Sequence, residues 1–205
     1  MTTLSVVIPC FNEARHLRAT LTALAQQNCA ATEVLLVDGG STDGSAELAR
    51  RVAQELALPL RVLENPARHI PQALNIGIAA ATGTYIARLD GHARPAADYL
   101  ATCLAVAEES GADLVGGSWQ IVPGAATPTA SAIALAVSTP LGTGGSAYRG
   151  RDVPAQDVDT VPFGFFTRAL WARLGGYDET LLTNEDYDFA FRLRAAGGRV
   201  RFDPR

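Results

Sequence analysis

Apolar residues along this chain gather in short runs, with stretches of helical spacing between them. Leu4 to Ile8 and Val34 to Val37 read as strands covered on both faces, where no polar alternation is needed. Leu60 to Leu63 and Thr84 to Leu89 have the length and bounding residues of two more strands. Between the first two strands, Leu17, Leu21 and Leu24 recur at the spacing of one helical face. Further helices are expected from Ala46 to Leu56 and from Pro71 to Ala81. The resulting β-α-β-α-β-α-β series predicts an α/β fold: a mostly parallel, doubly wound central sheet with helices on both faces and right-handed crossovers.

The pattern continues with a helix from Ala96 to Glu109, with Pro95 in its first turn, and a strand from Asp113 to Trp119. It then loosens. Pro123 to Gly150 is rich in small residues, and Gly142 to Gly145 within it is expected to be a mobile loop that closes over a ligand. Val158 to Phe166 reads as a strand interrupted at Pro162 and Gly164. Thr167 is placed to cap a helix through Leu174, and Asn184 to cap a last helix from Glu185 to Ala196. Arg199 to Phe202 reads as a strand just beginning, so the 205 residues are expected to be one domain truncated at its C-terminal end.

Composition narrows the possible chemistry. With 48% apolar and 19% charged residues, the chain is an ordinary globular protein rather than a disordered one. A net charge of −4 gives no general attraction to nucleic acid. All 17 basic residues are arginine, which excludes lysine Schiff bases and P-loops. Cys10, Cys29 and Cys103 lack metal or disulfide spacing and are expected to be reduced, mostly buried thiols. No secretory leader is read at the N-terminus. The apolar run around Ile133 to Val137 is too short to cross a bilayer.

Candidate chemistry lies where strands stop. In open α/β sheets, ligands bind beyond the carboxyl ends of the strands. Asp90, Gly91 and His92 follow one such end. A carboxylate and an imidazole converging across a glycine suit Mn²⁺, and a carboxylate alone suits Mg²⁺. The alternative is an Asp and a His that cap the next helix. Asp38 ends another strand before a glycine-rich turn, where it either accepts from a base or ribose or forms an Asx turn. Asp43 is expected to be the N-cap of the helix that follows. Glu185 and Asp186 favour the positive end of a helix wherever they occur, so local pattern alone assigns them no role.

Taken in order, four segments resemble the motifs of family 2 glycosyltransferases: Val6 to Glu13, Val37 to Gly44, Leu89 to His92 and Asn184 to Asp186. That resemblance spans nearly the whole chain. It implies the Rossmann-like GT-A fold, a nucleotide-sugar donor, a divalent metal and an inverting mechanism. Asp90-Gly91-His92-Ala93, the Gly142 to Arg149 segment and Val158 to Gly164 resemble the branch typified by succinoglycan-biosynthesis glucosyltransferases. This branch implies UDP-glucose, a lipid-linked saccharide acceptor and work at the cytoplasmic membrane face, with membrane contact through residues outside this chain.

The resemblance also implies roles. Pro9, Phe11, Glu13 and Asp38 would line the nucleoside pocket, and Arg68 would approach the diphosphate unless it is a plain surface arginine. Asp90, with His92, would hold Mg²⁺ or Mn²⁺. Asp186 would be the catalytic base, with Glu185 the second choice. Residues 1–118 would form the nucleotide-sugar half and 119–205 the acceptor half. Two departures stand out: Asp38-Gly39 replaces a usual pair of acids, and Asp-Gly-His replaces the usual Asp-x-Asp. Rival readings are a nucleotidyltransferase, which would show a basic glycine-rich loop after the first strand, and a sugar-nucleotide-binding module without turnover. A dinucleotide-dependent oxidoreductase would need GxGxxG at that turn, and the chain lacks it.

Overall fold

The computed structural model describes residues 2–139, 142, 147–149 and 153–205. Four strands alternate with helices in the first half: β1 (Leu4–Cys10), α1 (Ala14–Ala25), β2 (Glu33–Asp38), α2 (Ser45–Glu55), β3 (Leu60–Glu64), α3 (Ile70–Ala80) and β4 (Tyr85–Arg88). Then follow α4 (Tyr99–Ser110), β5 (Leu114–Gly116), α5 (Pro128–Val137), a 3-10 turn (Ala147–Arg149), β6 (Gln156–Asp157) and β7 (Phe165–Thr167). The chain closes with α6 (Arg168–Arg173), α7 (Glu185–Ala195) and β8 (Val200–Phe202).

The strands form one sheet in the order β3-β2-β1-β4-β7-β5-β8-β6. β1 pairs in parallel with both β2 and β4, and β3 extends that parallel group. β7 runs antiparallel to both its neighbours, β4 and β5. The chain therefore winds outward from β1 to β3, then crosses back to lay β4 on the other side of β1. That reversal makes the β1/β4 crevice the topological switch point, where open α/β sheets bind ligands.

Two-residue alternation on the strands divides the core into two layers. Val6, Ile8, Leu36 and Ala87 pack against α1, α2 and α4 through Leu17, Leu21, Val52 and Cys103. Val7, Leu35, Val37 and Ile86 face α3, α6 and α7 through Leu74, Ile78, Leu170 and Phe189. Helices thus cover both faces, as the apolar runs predict.

Several boundaries differ from expectation. α4 begins at Tyr99, so Pro95 lies outside its first turn. The Ala96 and Ala97 carbonyls instead accept hydrogen bonds from the Gln27 side chain and the Asn28 amide at the end of α1. Val158 to Phe166 is not one strand. Phe163 and Gly164, with φ of 62° and 43°, turn the chain into the short β7. α5 occupies part of the segment read as irregular, with Thr127 accepting from the Ala130 amide at 3.2 Å. Only Ala134 of α5 is buried, so no apolar stripe advertised the helix. Asp43 is not the N-cap of α2. Gly44 takes that place in a left-handed conformation, φ 84°. The proposed closing loop at Gly142 to Gly145 lies, apart from Gly142, outside the described residues.

Candidate active site

The loops after β1, β2 and β4 meet at the carboxyl edge of the sheet. Asn12 and Glu13 donate their amides to the Ser41 and Ser45 hydroxyls, at 2.9 and 2.8 Å. The Asn12 side chain accepts from the Thr42 amide at 2.8 Å. Asp43 accepts from the Ala14 amide and from the Ser45 amide and hydroxyl, so it binds the starts of both helices at once. The Ser45 hydroxyl, with those amides, holds the Asp43 carboxyl below its usual range. Two loops about 30 residues apart are thereby fixed as one surface.

Asp38 sits at the end of β2 and turns its carboxylate into its own loop. It accepts from the Gly40 and Ser41 amides at 3.2 and 3.1 Å and from the Ser41 hydroxyl. This is the Asx-type turn that the sequence left open as an alternative. Phe11 is exposed and Pro9 half-buried on the adjoining strand end. Arg68 belongs to the same neighbourhood: a Cβ on Gly39 would stand 3.4 Å from Phe11 Cδ2 and 3.5 Å from Arg68 Cα. Arg68 has φ 67°, an uncommon conformation for a long side chain. Cys10 is buried at this edge, and burial followed by the Asp38 charge raises its thiol to about 11, so it is a packed thiol rather than a nucleophile.

Across the switch point, the loop after β4 carries Asp90 and His92. A Cβ on Gly91 would stand 3.0 Å from Glu13 Cγ, and the Gly91 carbonyl accepts from Thr20 at 2.8 Å. The loop is therefore seated on the start of α1. His92 is 57% exposed, and its Nδ1 lies 2.8 Å from Glu13 Oε1. Asp90 is 26% exposed, with Oδ1 3.3 Å from Arg88 Nη2. Among the described residues its other oxygen makes no hydrogen bond within the protein.

The acids at the start of α7 come to the same place. Arg88 is 7% exposed and forms an ion pair at 3.1 Å with Glu185, which is equally buried. Burial opposes the Arg88 charge, but Asp90, Tyr177, Glu185 and Asp186 outweigh it and raise the guanidinium above its usual range. Asp186 is half-exposed, and among the described residues its Oδ1 accepts only the neighbouring Tyr187 amide, at 2.8 Å. Asn184 precedes the two acids with φ 62° and makes no side-chain cap, contrary to the expected role. Glu185, the first residue of α7, is buried, and Asp186 after it is half-exposed. Among the described residues, four of the five non-glycine residues with positive φ, Asn12, Arg68, Phe163 and Asn184, border this site, where such strained conformations tend to collect.

Sequence reasoning missed Arg88 and Phe163. Arg88 had a signal, a lone charge within an apolar strand, which is buried only when paired. Phe163 lies with its ring centroid 5.9 Å from the Arg88 guanidinium and 4.9 Å from Trp119. Its position followed from the turn at 163–164, which an interrupted-strand reading does not supply.

The family described as Glycosyl transferase family 2 matches residues 5–172. The chain is 36% identical to the succinoglycan biosynthesis protein ExoA of Rhizobium meliloti (strain 1021), over 95% of this chain and 59% of that protein. It is 30% identical to a PGL/p-HBAD biosynthesis glycosyltransferase of Mycobacterium bovis (strain BCG / Pasteur 1173P2), over 92% of this chain and 68% of that one. The S. aureus TarS structure with UDP-GlcNAc superposes with a TM-score of 0.76 at 20% identity, over 98% of this chain and 56% of that chain. The mannosyltransferase PcManGT of Pyrobaculum calidifontis, in complex with GDP-Man and Mn²⁺, superposes with a TM-score of 0.72 at 26% identity, over 98% of this chain and 54% of that chain. The chain thus spans little more than half the length of ExoA and of these solved structures. The matched profile and the ordered motifs agree with the sheet topology and its switch-point site: the chain belongs to glycosyl transferase family 2 and has a GT-A fold.

Proposed function

We propose that this chain is the catalytic part of an inverting, metal-dependent hexosyltransferase. Its donor would be a UDP-sugar, with UDP-glucose first, and its acceptor a lipid-linked saccharide in exopolysaccharide or cell-surface glycan synthesis. The observation that carries the reading is the pairing of roles across the switch point. Asp90 keeps one carboxylate oxygen free of protein hydrogen bonds among the described residues, and Asp186 stands half-exposed next to a buried partner acid. The relatives support the biological class, since ExoA is a succinoglycan biosynthesis protein.

Donor binding falls to the β1 and β2 loops. Pro9, Phe11, Glu13 and Asp38 would frame the nucleoside, and Arg68 would lie along the diphosphate. Asp90 and His92 fit Mn²⁺ or Mg²⁺: a carboxylate oxygen and the imidazole Nε2 make no hydrogen bonds within the described protein. No group of three or more protein ligands occurs among the described residues, so diphosphate oxygens would complete the shell. When bound, the ion supplies positive charge against the leaving diphosphate.

Glu185 is enclosed with Arg88, so Asp186 is the acid an acceptor can reach. Asp186 takes the proton of the acceptor hydroxyl as that oxygen bonds to the anomeric carbon. The carbon–oxygen bond to the diphosphate breaks on the opposite side, and its electron pair leaves with UDP. In-line displacement inverts the anomeric centre. The test is incubation of the chain with a UDP-sugar panel, Mn²⁺ and a saccharide acceptor, with the product linkage read by NMR. An inverted glycoside with release of UDP supports the reading. Release of sugar 1-phosphate, with UMP transferred in place of the sugar, would favour a nucleotidyltransferase, and donor binding without transfer or hydrolysis would favour a binding module.

A further inference from the structure

A buried arginine needs compensation for each direction in which it loses water, and Arg88 is compensated unusually. Both acidic contacts fall on one nitrogen, Nη2, with Asp90 at 3.3 Å and Glu185 at 3.1 Å. Nε is buried without a hydrogen-bond partner among the described residues. Asp90 lies two residues farther along the same chain, whereas Glu185 opens a helix 97 positions away. Phe163 lies against the guanidinium and Gly164 accepts the Arg88 amide at 3.1 Å, so the side chain has little freedom to leave. A guanidinium can grip a single carboxylate with two parallel donors. Here a single nitrogen is shared between two, and the buried Nε donor beside it is idle.

We propose that Arg88 is a positioning residue that couples ligand occupation at Asp90 to the placement of Asp186, acting through Glu185. The inference rests on the proposed roles of Asp90 and Asp186. A cation drawn to Asp90 competes with Arg88 for the same carboxylate. Arg88 then turns its idle donor to Glu185 and grips it in two-pronged fashion. Glu185 and Asp186 are consecutive in the first turn of α7, so anchoring the first fixes the second. The base is thereby ordered when the donor's diphosphate and its ion are in place. Without them, the shared grip holds α7 less firmly.

Removing Arg88 alone would strand two acids in a poorly solvated site, so the decisive variants keep charges matched. The full chain is compared with Arg88→Lys and with the double variant Arg88→Met/Glu185→Gln. Each is followed by thermal unfolding, by Mn²⁺ titration in the presence of UDP, and by kcat and donor KM for transfer. In the double variant, Mn²⁺ should bind several-fold, about threefold to tenfold, more tightly, because Arg88 no longer competes for the Asp90 carboxylate, while the loss of the Glu185 charge offsets part of the gain. Its kcat should fall by about 10²-fold with donor KM nearly unchanged, the scale of a misplaced reacting group. Arg88→Lys keeps the charge but not the fork, so Mn²⁺ affinity should hold while kcat falls about tenfold.

Wild-type kcat and wild-type Mn²⁺ affinity in both variants would overturn the coupling. So would a joint fall of thermal midpoint, kcat and Mn²⁺ affinity in Arg88→Lys, which marks a packing role alone. If the double variant does not fold, Arg88→Lys decides between these results. Failure of the wild type to bind Mn²⁺ with UDP would overturn the proposed function itself and this inference with it. Normal wild-type binding with unaltered variants overturns the coupling only.

Discussion

Glu13 and His92, 79 residues apart, are joined by a 2.8 Å contact between Oε1 and Nδ1 across the switch-point crevice. The contact ties the loop after β1 to the loop after β4. It also fixes which imidazole nitrogen is available, leaving Nε2 for another partner. Histidines that ligate metals commonly have their second nitrogen held by a carboxylate in this way. Glu13→Gln and His92→Ala should each weaken Mn²⁺ binding in the presence of UDP by about tenfold. The double variant should be no weaker than the worse single one, as measured by calorimetry. Fully additive losses would show that Glu13 acts apart from His92, at the nucleoside alone.

Glu185 and Asp186 are adjacent in sequence but opposite in environment, one enclosed with Arg88 and one half-exposed. Asp186→Asn should lower transfer by roughly 10²–10⁴-fold, the range of general-base assistance, with UDP affinity retained. Glu185→Gln should also lower the thermal midpoint, because it leaves a buried guanidinium short of a counter-charge. Transfer assays paired with thermal unfolding separate the two. Equal loss of nucleotide binding in Asp186→Asn would make that residue structural.

Gly77 sits where α3 crosses the sheet. A Cβ there would stand 2.4 Å from Val7 Cγ1 and 3.0 Å from Val37 Cγ2, both on stiff β-branched side chains. Gly77→Ala should therefore destabilise by about 1–3 kcal/mol in denaturant titration, despite alanine's better helix propensity. UDP affinity should change little in the folded fraction.

Glu33, at the opposite end of the sheet, joins three elements. Its Oε1 accepts from the Ser5 hydroxyl and from the Thr82 amide and hydroxyl, and Oε2 pairs with Arg61. Burial pushes its pKa up, but the Thr82 and Ser5 bonds and the Arg61 charge outweigh it, so the net shift is down. A lowered folded pKa means a stability contribution present above the ordinary carboxylate range and lost as pH falls through the folded value. Glu33→Gln should melt below wild type near neutral pH, and the gap should close below about pH 4. A gap that stays constant with pH would remove the ionised carboxylate from the account.

Much of this was legible because strands covered on both faces write themselves as apolar runs. β1, β2, β3 and β4 all stand within a few residues of their predicted places, and Asp38 and Asp90 fall at the predicted strand ends. The strands beyond residue 118 were harder. β7 is three residues long and pairs with β4 and β5, neither of them next to it in sequence, so no local period encodes its place. α5 escaped because a nearly unburied helix of small residues carries no stripe. The Arg88–Glu185 pair depends on a tertiary contact between β4 and α7. Its only trace in sequence is the charge inside an apolar run. Which of the two adjacent acids is buried goes with that same contact, and helix-end composition does not reveal it.

The central claim is that Asp90 marks the seat of a diphosphate and its divalent ion. The most direct measurement is calorimetric titration of UDP and UDP-glucose, with and without Mn²⁺, into wild type and Asp90→Ala. The expected result is Mn²⁺-dependent binding to the wild type that disappears in Asp90→Ala while the thermal midpoint stays close to wild type. Binding that is indifferent to Mn²⁺, or that survives the substitution, would contradict the claim.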